Sequence, residues 1–125
     1  MIKQLTKAEE QVMQVLWNLQ TAFLGEILDE MAYLHPQRTT IATVIKVLMQ
    51  KKFVAADVVG RNHRYYPLVS KKEYSKSTIK NMVEGYFDGS YSNILSFLMK
   101  EKKISVKELE KALEQIKEME KRKKW

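Results

Sequence analysis

Residues 53–69 of the chain are Phe53-Val54-Ala55-Ala56-Asp57-Val58-Val59, Gly60-Arg61-Asn62-His63 and Arg64-Tyr65-Tyr66-Pro67-Leu68-Val69. The first and third of these runs are rich in β-branched and aromatic residues, which pack well in strands. The middle run contains a glycine and is short enough to connect two antiparallel strands. The stretch therefore predicts a two-stranded β hairpin with a basic tip.

Two amphipathic helices are predicted at the start of the chain. The first begins at Thr6, whose capping-box partner is Glu9, and ends near residue 18. The second extends over about residues 22–32. Apolar residues that recur three and four positions apart form the inward stripe of the first helix, which consists of Ala8, Val12, Val15, Leu16 and Leu19.

A third helix is predicted between Pro36, which suits a first-turn position, and about Lys51. Its inward stripe consists of Ile41, Val44, Ile45, Leu48 and Met49. Three helices followed by a hairpin is the order of a winged helix-turn-helix domain, which we assign to residues 1–70. The predicted fold class is mostly α with a small β hairpin.

Residues 71–125 are predicted to form a helical dimerisation domain, with three helices at about 71–87, 90–101 and 105–121. One copy of three such helices has too little volume to cover its own apolar residues. The alternative is that this set packs on the first domain of the same chain, which would give a monomer. The residues that we expect in a two-fold symmetric interface are Ile79, Met82, Val83, Tyr86, Ile94, Leu95, Phe97, Leu98, Leu109, Leu113 and Ile116.

The composition excludes several classes of protein. At 125 residues the chain is too short for a large multidomain enzyme, and its net charge of +7 favours an acidic partner. The absence of cysteine removes disulfides, thiolate metal sites and cysteine nucleophiles. Neither His35 nor His63 has a catalytic or metal-binding spacing, and no glycine-rich phosphate loop is present. We therefore predict no enzyme activity, no metal and no cofactor.

The sequence also carries a prediction about location. The N-terminal residues lack an apolar signal core, and no apolar run is long enough to span a membrane. We expect a cytoplasmic protein without direct membrane insertion.

Positive charge concentrates between Leu34 and Tyr66, where six basic residues stand against Asp57 alone. The outward face of the third helix contains no acidic residue, and its side chains suit a major groove. Arg and Lys reach phosphates or guanine edges, while Thr contacts phosphates and the thymine methyl group. The DNA-binding residues predicted on this helix are Arg38, Thr39, Thr40, Thr43, Lys46 and Gln50.

The hairpin tip adds a second basic element. Arg61, His63 and Arg64 would contact the flanking DNA backbone or the minor groove, as a wing does. Taken alone, the third helix could present an ordinary solvated face, and the tip could be a generic basic loop. The two elements together predict one electrostatic footprint for DNA.

Three segments of the chain carry a family resemblance. They are LTKAEEQVMQVLW at 5–17, TTIATVIKVL at 39–48, and GR at 60–61 followed by YYPLVS at 65–70. In combination they resemble the penicillinase-repressor family (BlaI/MecI/CopY type) of bacterial transcription regulators over nearly the full length. The resemblance implies a homodimeric repressor that binds palindromic operator DNA through N-terminal winged helices and dimerises through three C-terminal helices.

The resemblance also implies a mode of release and a further partner. In better-known members a membrane-bound sensor protease detects β-lactam, and its signal leads to cleavage of the repressor at an Asn-Phe bond in the dimerisation domain. The corresponding pair here is Ser96-Phe97, in which Ser96 departs from the pattern. Lys52 stands where members often have Gly, and Ala42 stands where some have Arg. The copper-responsive branch uses Cys motifs, so a chain without cysteine cannot sense copper in that way.

The predicted function is sequence-specific repression by occupancy of a palindromic operator, possible targets being β-lactam resistance genes. The alternative is a winged-helix module that binds an acidic protein and has no specific affinity for DNA, because a fold alone does not fix function.

Overall fold

The computed structural model describes residues 2–123. Over this range it contains six α-helices, one short 3₁₀ turn and a three-stranded antiparallel sheet. The contacts divide the chain into two compact units, one up to Thr78 and the other from Ile79 onwards.

Three helices form most of the first unit: α1 (Lys7–Leu19), α2 (Leu24–Glu30) and α3 (Arg38–Gln50). The capping box at Thr6 is present as predicted. The predicted start of the second helix at residue 22 is wrong, because Ala22–Phe23 form strand β1 instead. The carboxylate of Glu26 accepts a hydrogen bond from the Phe23 N–H at 2.8 Å, and this side chain caps the later start of α2.

The predicted hairpin consists of β2 (Val54–Val59) and β3 (Asn62–Pro67). Its connection is a two-residue turn in which Gly60 has a φ of +63°, a conformation that glycine adopts without steric strain. Strand β1 pairs with the other edge of β3, so the sheet order is β1-β3-β2. The sheet thus has one more strand than the sequence predicted.

The core of the first unit contains side chains from all three helices, from the sheet and from the helix that follows it. Three side chains of the predicted inward stripes are exposed instead: Ala8, Leu19 and Met49. The fully buried residues that line the centre of the core are Val12, Met13, Leu16, Ile27, Ile45, Leu48 and Val54.

Helix α4 (Lys71–Tyr86) begins inside the first unit rather than after it. The Tyr74 ring is buried in the same core and lies 5.9 Å from the rings of both Trp17 and Phe53. This packing moves the division between the units from the predicted residue 70 to Thr78.

The second unit contains the remainder of α4, α5 (Tyr91–Lys100) and α6 (Val106–Lys123). From Ile79 onwards, Val83 is the one residue with a buried side chain among those whose burial the structure describes. Within residues 2–123 no helix combines the length and the apolar character that a membrane crossing requires.

Candidate nucleic-acid interface

Helix α3 buries one face and exposes another. Ile41, Ile45 and Leu48 lie in the core, as the periodicity predicted. The helical repeat places four exposed side chains in one row on the opposite side, and two more flank this row. We call the row the α3 ridge; it consists of Thr39, Thr43, Lys46 and Gln50, with Arg38 and Thr40 to either side.

Two features determine what the α3 ridge can bind: its helix carries no carboxylate, and the Thr43 hydroxyl is already engaged as a donor. No acidic residue occurs in α3, and the N-cap residue Gln37 makes no side-chain capping bond. The positive end of the helix dipole is therefore not neutralised by a carboxylate in the first turn. Thr43 Oγ1 donates a hydrogen bond to the Thr39 carbonyl oxygen at 2.9 Å. Thr43 consequently presents its methyl group and its acceptor lone pairs, not a free donor, to the surface.

A small open cavity of about 180 Å³ lies beside the start of α3. Arg38 reaches it from α3, Arg61 from the hairpin turn and His63 from β3. The His63 ring is stacked on Tyr65, with ring centroids 6.3 Å apart. The cavity, which we call the basic notch, is completed by Phe23, Leu24, Gly25, Asn62 and Tyr65.

The sequence analysis missed part of the basic notch. Phe23, Leu24 and Gly25 lie there because β1 pairs with β3. A two-residue strand is too short to show an alternating pattern, so no signal in the sequence could have found this wall. Asn62 is the first residue of β3 and lies within the predicted hairpin tip, which was the available signal.

Two basic residues of the stretch between Leu34 and Tyr66 stand apart from this arrangement: Arg64, which was predicted to bind DNA, and Lys51, which was not. Side chains alternate along a strand, so Arg64 lies on the opposite face of β3 from His63 and Tyr65, and it does not line the basic notch. Its register partner on β2 is Asp57. Lys51 contributes no free charge to the basic stretch, because its ammonium group binds the buried carboxylate of Glu9 at 2.8 Å.

The predicted dimerisation residues are mostly exposed in the single chain. Val83 is the exception: it is 1% exposed, so it belongs to the interior of the chain and not to a free surface. Ile94, Leu98 and Leu109 are half-buried. Large apolar side chains of the second unit that are exposed are Ile79, Met82, Tyr86, Tyr91, Leu95, Phe97, Val106, Leu113, Ile116 and Met119.

The Ser96-Phe97 pair lies in the middle of α5, and both residues are exposed. The Phe97 ring packs edge-on against Phe87 at 5.7 Å, and its carbonyl oxygen accepts a hydrogen bond from Glu101 N–H. The Ser96–Phe97 peptide bond therefore lies within a regular helix, not in a loop. Across residues 2–123, no group of three His, Asp or Glu side chains is placed to hold a metal ion.

Comparison with known proteins gives a consistent picture. The family model described as penicillinase repressor matches residues 5–118. The methicillin resistance regulatory protein MecI of Mammaliicoccus sciuri is 28% identical over 103 residues, which cover 78% of this chain and 81% of that protein. MecI of Staphylococcus aureus (strain N315) is 27% identical over 100 residues, with the same coverage of both chains.

A solved structure supports the fold of the first unit. The solution structure of the DNA-binding domain of the repressor BlaI is 27% identical, with a TM-score of 0.53, and covers 59% of this chain and 92% of that domain. The family match extends over most of the chain, and its members are transcriptional repressors. This chain belongs to the penicillinase-repressor family and is a DNA-binding transcriptional repressor.

Proposed function

We propose that this repressor binds a palindromic operator as a homodimer. The α3 ridge would enter the major groove, and the β2–β3 hairpin would contact the flanking backbone as a wing. One observation carries the proposal: the acid-free α3 ridge stands beside a notch that Arg38, Arg61 and His63 line together. Base-reading groups and phosphate-binding groups are thereby adjacent, as sequence-specific recognition requires.

The second unit supports the dimer. Ten large apolar side chains between Ile79 and Met119 are exposed in the single chain, whereas one side chain is buried over the same range. Helices that expose this much apolar surface need a partner, and a second copy of the same surface provides one by two-fold symmetry. A symmetric dimer would present two α3 ridges to the two halves of a palindrome.

The decisive experiment is selection of duplexes from a random pool at two salt concentrations, with stoichiometry measured on the selected complex. We expect a palindrome bound by two chains, with affinity that falls steeply as salt rises. Weak binding without a preferred sequence would contradict the proposal. Binding to an acidic protein instead would favour a winged-helix interaction module.

The α3 ridge can be tested by a single substitution with a matched control. Lys46→Ala removes a charge from the ridge, so it should weaken binding to all duplexes alike and reduce the salt slope by about one unit. Lys107→Ala removes the same charge from an exposed position on α6 and should leave the slope unchanged. Equal slopes for the two variants would exclude Lys46 from the interface.

The relatives named as methicillin resistance regulators support a more specific role. We propose that this chain represses β-lactam resistance genes and is released by cleavage at Ser96-Phe97, through a membrane sensor protease or a protease that it activates. The exposure of both residues supports access once α5 opens locally. Cells carrying such a sensor should yield, after β-lactam treatment, a fragment ending at Ser96. An intact chain under induced conditions would contradict release by this route.

A further inference from the structure

A buried ion pair joins the start of α1 to the end of α3. Lys51 Nζ donates to both carboxylate oxygens of Glu9, at 2.8 and 2.9 Å. Glu9 is 4% exposed, while the Lys51 side chain is 26% exposed. Neither residue belongs to the α3 ridge or to the basic notch, so the DNA contacts proposed above do not use this pair.

The Glu9 carboxylate is also fixed by its own helix. The Thr6 N–H donates to Glu9 Oε1 at 2.8 Å, and Thr6 Oγ1 accepts from the Glu9 N–H at 3.2 Å. Burial alone would raise the pKa of Glu9, but the hydrogen bonds from Lys51 and Thr6 lower it further than burial raises it. The group is therefore ionised at neutral pH, and its carboxylate is held by hydrogen bonds from both Thr6 and Lys51.

The two ends of α3 are held very differently. At the C-terminal end, the Phe53 N–H binds the Leu48 carbonyl oxygen at 2.9 Å and the Lys52 N–H binds that of Met49 at 3.0 Å. This is a Schellman motif, and Lys51 is its C-cap residue. The N-terminal end has no side-chain cap. Lys51 therefore ties the C-terminal end of α3 to α1, in addition to the core contacts of Ile41, Ile45 and Leu48.

We propose that Glu9 is a positioning residue for DNA recognition, because it holds the C-terminal end of α3 through Lys51 and so sets the direction of the α3 ridge. This inference rests on the proposed function. Hydrogen bonds to base edges are directional, whereas phosphate contacts tolerate small shifts. Release of the pair should therefore reduce sequence discrimination more than overall affinity for DNA.

The test uses the full-length chain and two duplexes of equal length, the selected operator and a random sequence. Glu9→Gln keeps an oxygen that can accept the Thr6 hydrogen bond but removes the charge, and Lys51→Met removes the ammonium group. We expect the ratio of operator affinity to random-duplex affinity to fall about tenfold in each, comparable to one mismatched base pair. Lys51→Arg should keep most of the wild-type ratio, because it keeps the ion pair.

Lys52→Met is the matched control, since Lys52 is exposed, adjacent in sequence and equal in charge. It should lower affinity for both duplexes alike and preserve their ratio. All measurements are made below the thermal midpoint of each variant, and Glu9→Gln remains informative if Lys51→Met does not fold.

The outcomes separate the inference from the function on which it rests. If the wild-type chain prefers no sequence, the proposed function fails, and the recognition role of Glu9 fails with it. If the wild type prefers a palindrome but Glu9→Gln and Lys51→Met keep the wild-type ratio, only the inference is overturned. An equal loss of ratio in Lys52→Met would also overturn it, because the ion pair would then not distinguish Lys51 from its neighbour.

Discussion

Lys52 follows helix α3 in a conformation that normally favours glycine. Its φ is +64°, and it occupies the C′ position of the Schellman motif. A left-handed conformation costs an L-residue about 1–2 kcal/mol, while glycine adds about 0.5–1 kcal/mol of freedom to the unfolded chain. Lys52→Gly should therefore stabilise the protein by about 0.5–1 kcal/mol in urea unfolding. Lys52→Ala keeps the strained φ and should give no such gain; equal gains would contradict this account.

Glu9 makes stability depend on pH in a defined direction. Its pKa in the folded protein lies below the ordinary value of 4.5, so its contribution is complete above that value and is lost as pH falls through the lowered pKa. At neutral pH, Glu9→Gln should lower the free energy of unfolding by about 1.5–3 kcal/mol, as expected for hydrogen bonds to a charged group. The difference between variant and wild type should shrink in acid, measured by urea unfolding across the pH range. A difference in the free energy of unfolding that does not change with pH would show that the charge of Glu9 does not contribute to stability.

The sequence predicted the exposure of the α3 ridge, because the helical repeat separates Ile41 and Ile45 from Thr43 and Lys46 without reference to the rest of the chain. Met49, which the same pattern placed inward, is exposed. It could not predict the partner of Lys51. That partner is 42 residues away, and a pair formed only by tertiary packing has no local pattern. The stretch between Leu34 and Tyr66 therefore presents less free positive charge to solvent than its composition indicates, because Lys51 is paired with Glu9.

At the scale of elements, the attachment of α4 to the first unit depends on Tyr74. Its hydroxyl donates to Glu10 Oε2 at 2.6 Å and accepts from the Leu5 N–H at 3.0 Å. Burial and the bond to Glu10 raise the pKa of Tyr74 above 10.0, which keeps the hydroxyl protonated. Trp17 Nε1 adds a hydrogen bond of 2.9 Å to the Val69 carbonyl oxygen just before α4.

Tyr74→Phe should keep the ring contacts but leave the Glu10 carboxylate and the Leu5 N–H without their partner. The expected loss of stability is about 1–3 kcal/mol. Amide exchange at Leu5 should accelerate, because this N–H loses its acceptor. Tyr86→Phe is the control, since that side chain is 83% exposed. Unchanged exchange at Leu5 would show that the hydroxyl does not anchor the N-terminal segment.

The elements that the sequence predicted well have strong local signals. The capping box at Thr6 marked the start of α1, and the predicted starts at residues 71 and 105 agree with α4 and α6 to within one residue. Strand β1 was missed because its pairing with Tyr65 and Arg64 of β3 depends on the folded sheet. The same pairing explains why α2 begins at Leu24, two residues later than its apolar pattern indicated.

At the scale of the whole molecule, the proposed operator binding and dimerisation would be linked by mass action. Two half-sites bound by one dimer convert the second binding event into an intramolecular one, which can increase affinity by about 10²–10⁴-fold without any new DNA contact. Loss of the dimer would therefore release a repressor without altering its DNA-binding surface. Cleavage within α5 would release the repressor in this way, by disrupting the dimer.

Leu113→Glu tests this linkage. Leu113 is 50% exposed on α6, and a buried carboxylate in a symmetric apolar interface would be duplicated by the second copy. We expect a monomer in sedimentation, operator affinity lower by at least tenfold and unchanged affinity for a single half-site. Lys111→Gln lowers the net charge by the same one unit from an exposed position on the opposite face of α6 and should remain a dimer. A Leu113→Glu chain that still sediments as a dimer would exclude this face of α6 from the interface, and an equal loss of half-site affinity would mean that the substitution damages the DNA-binding unit itself.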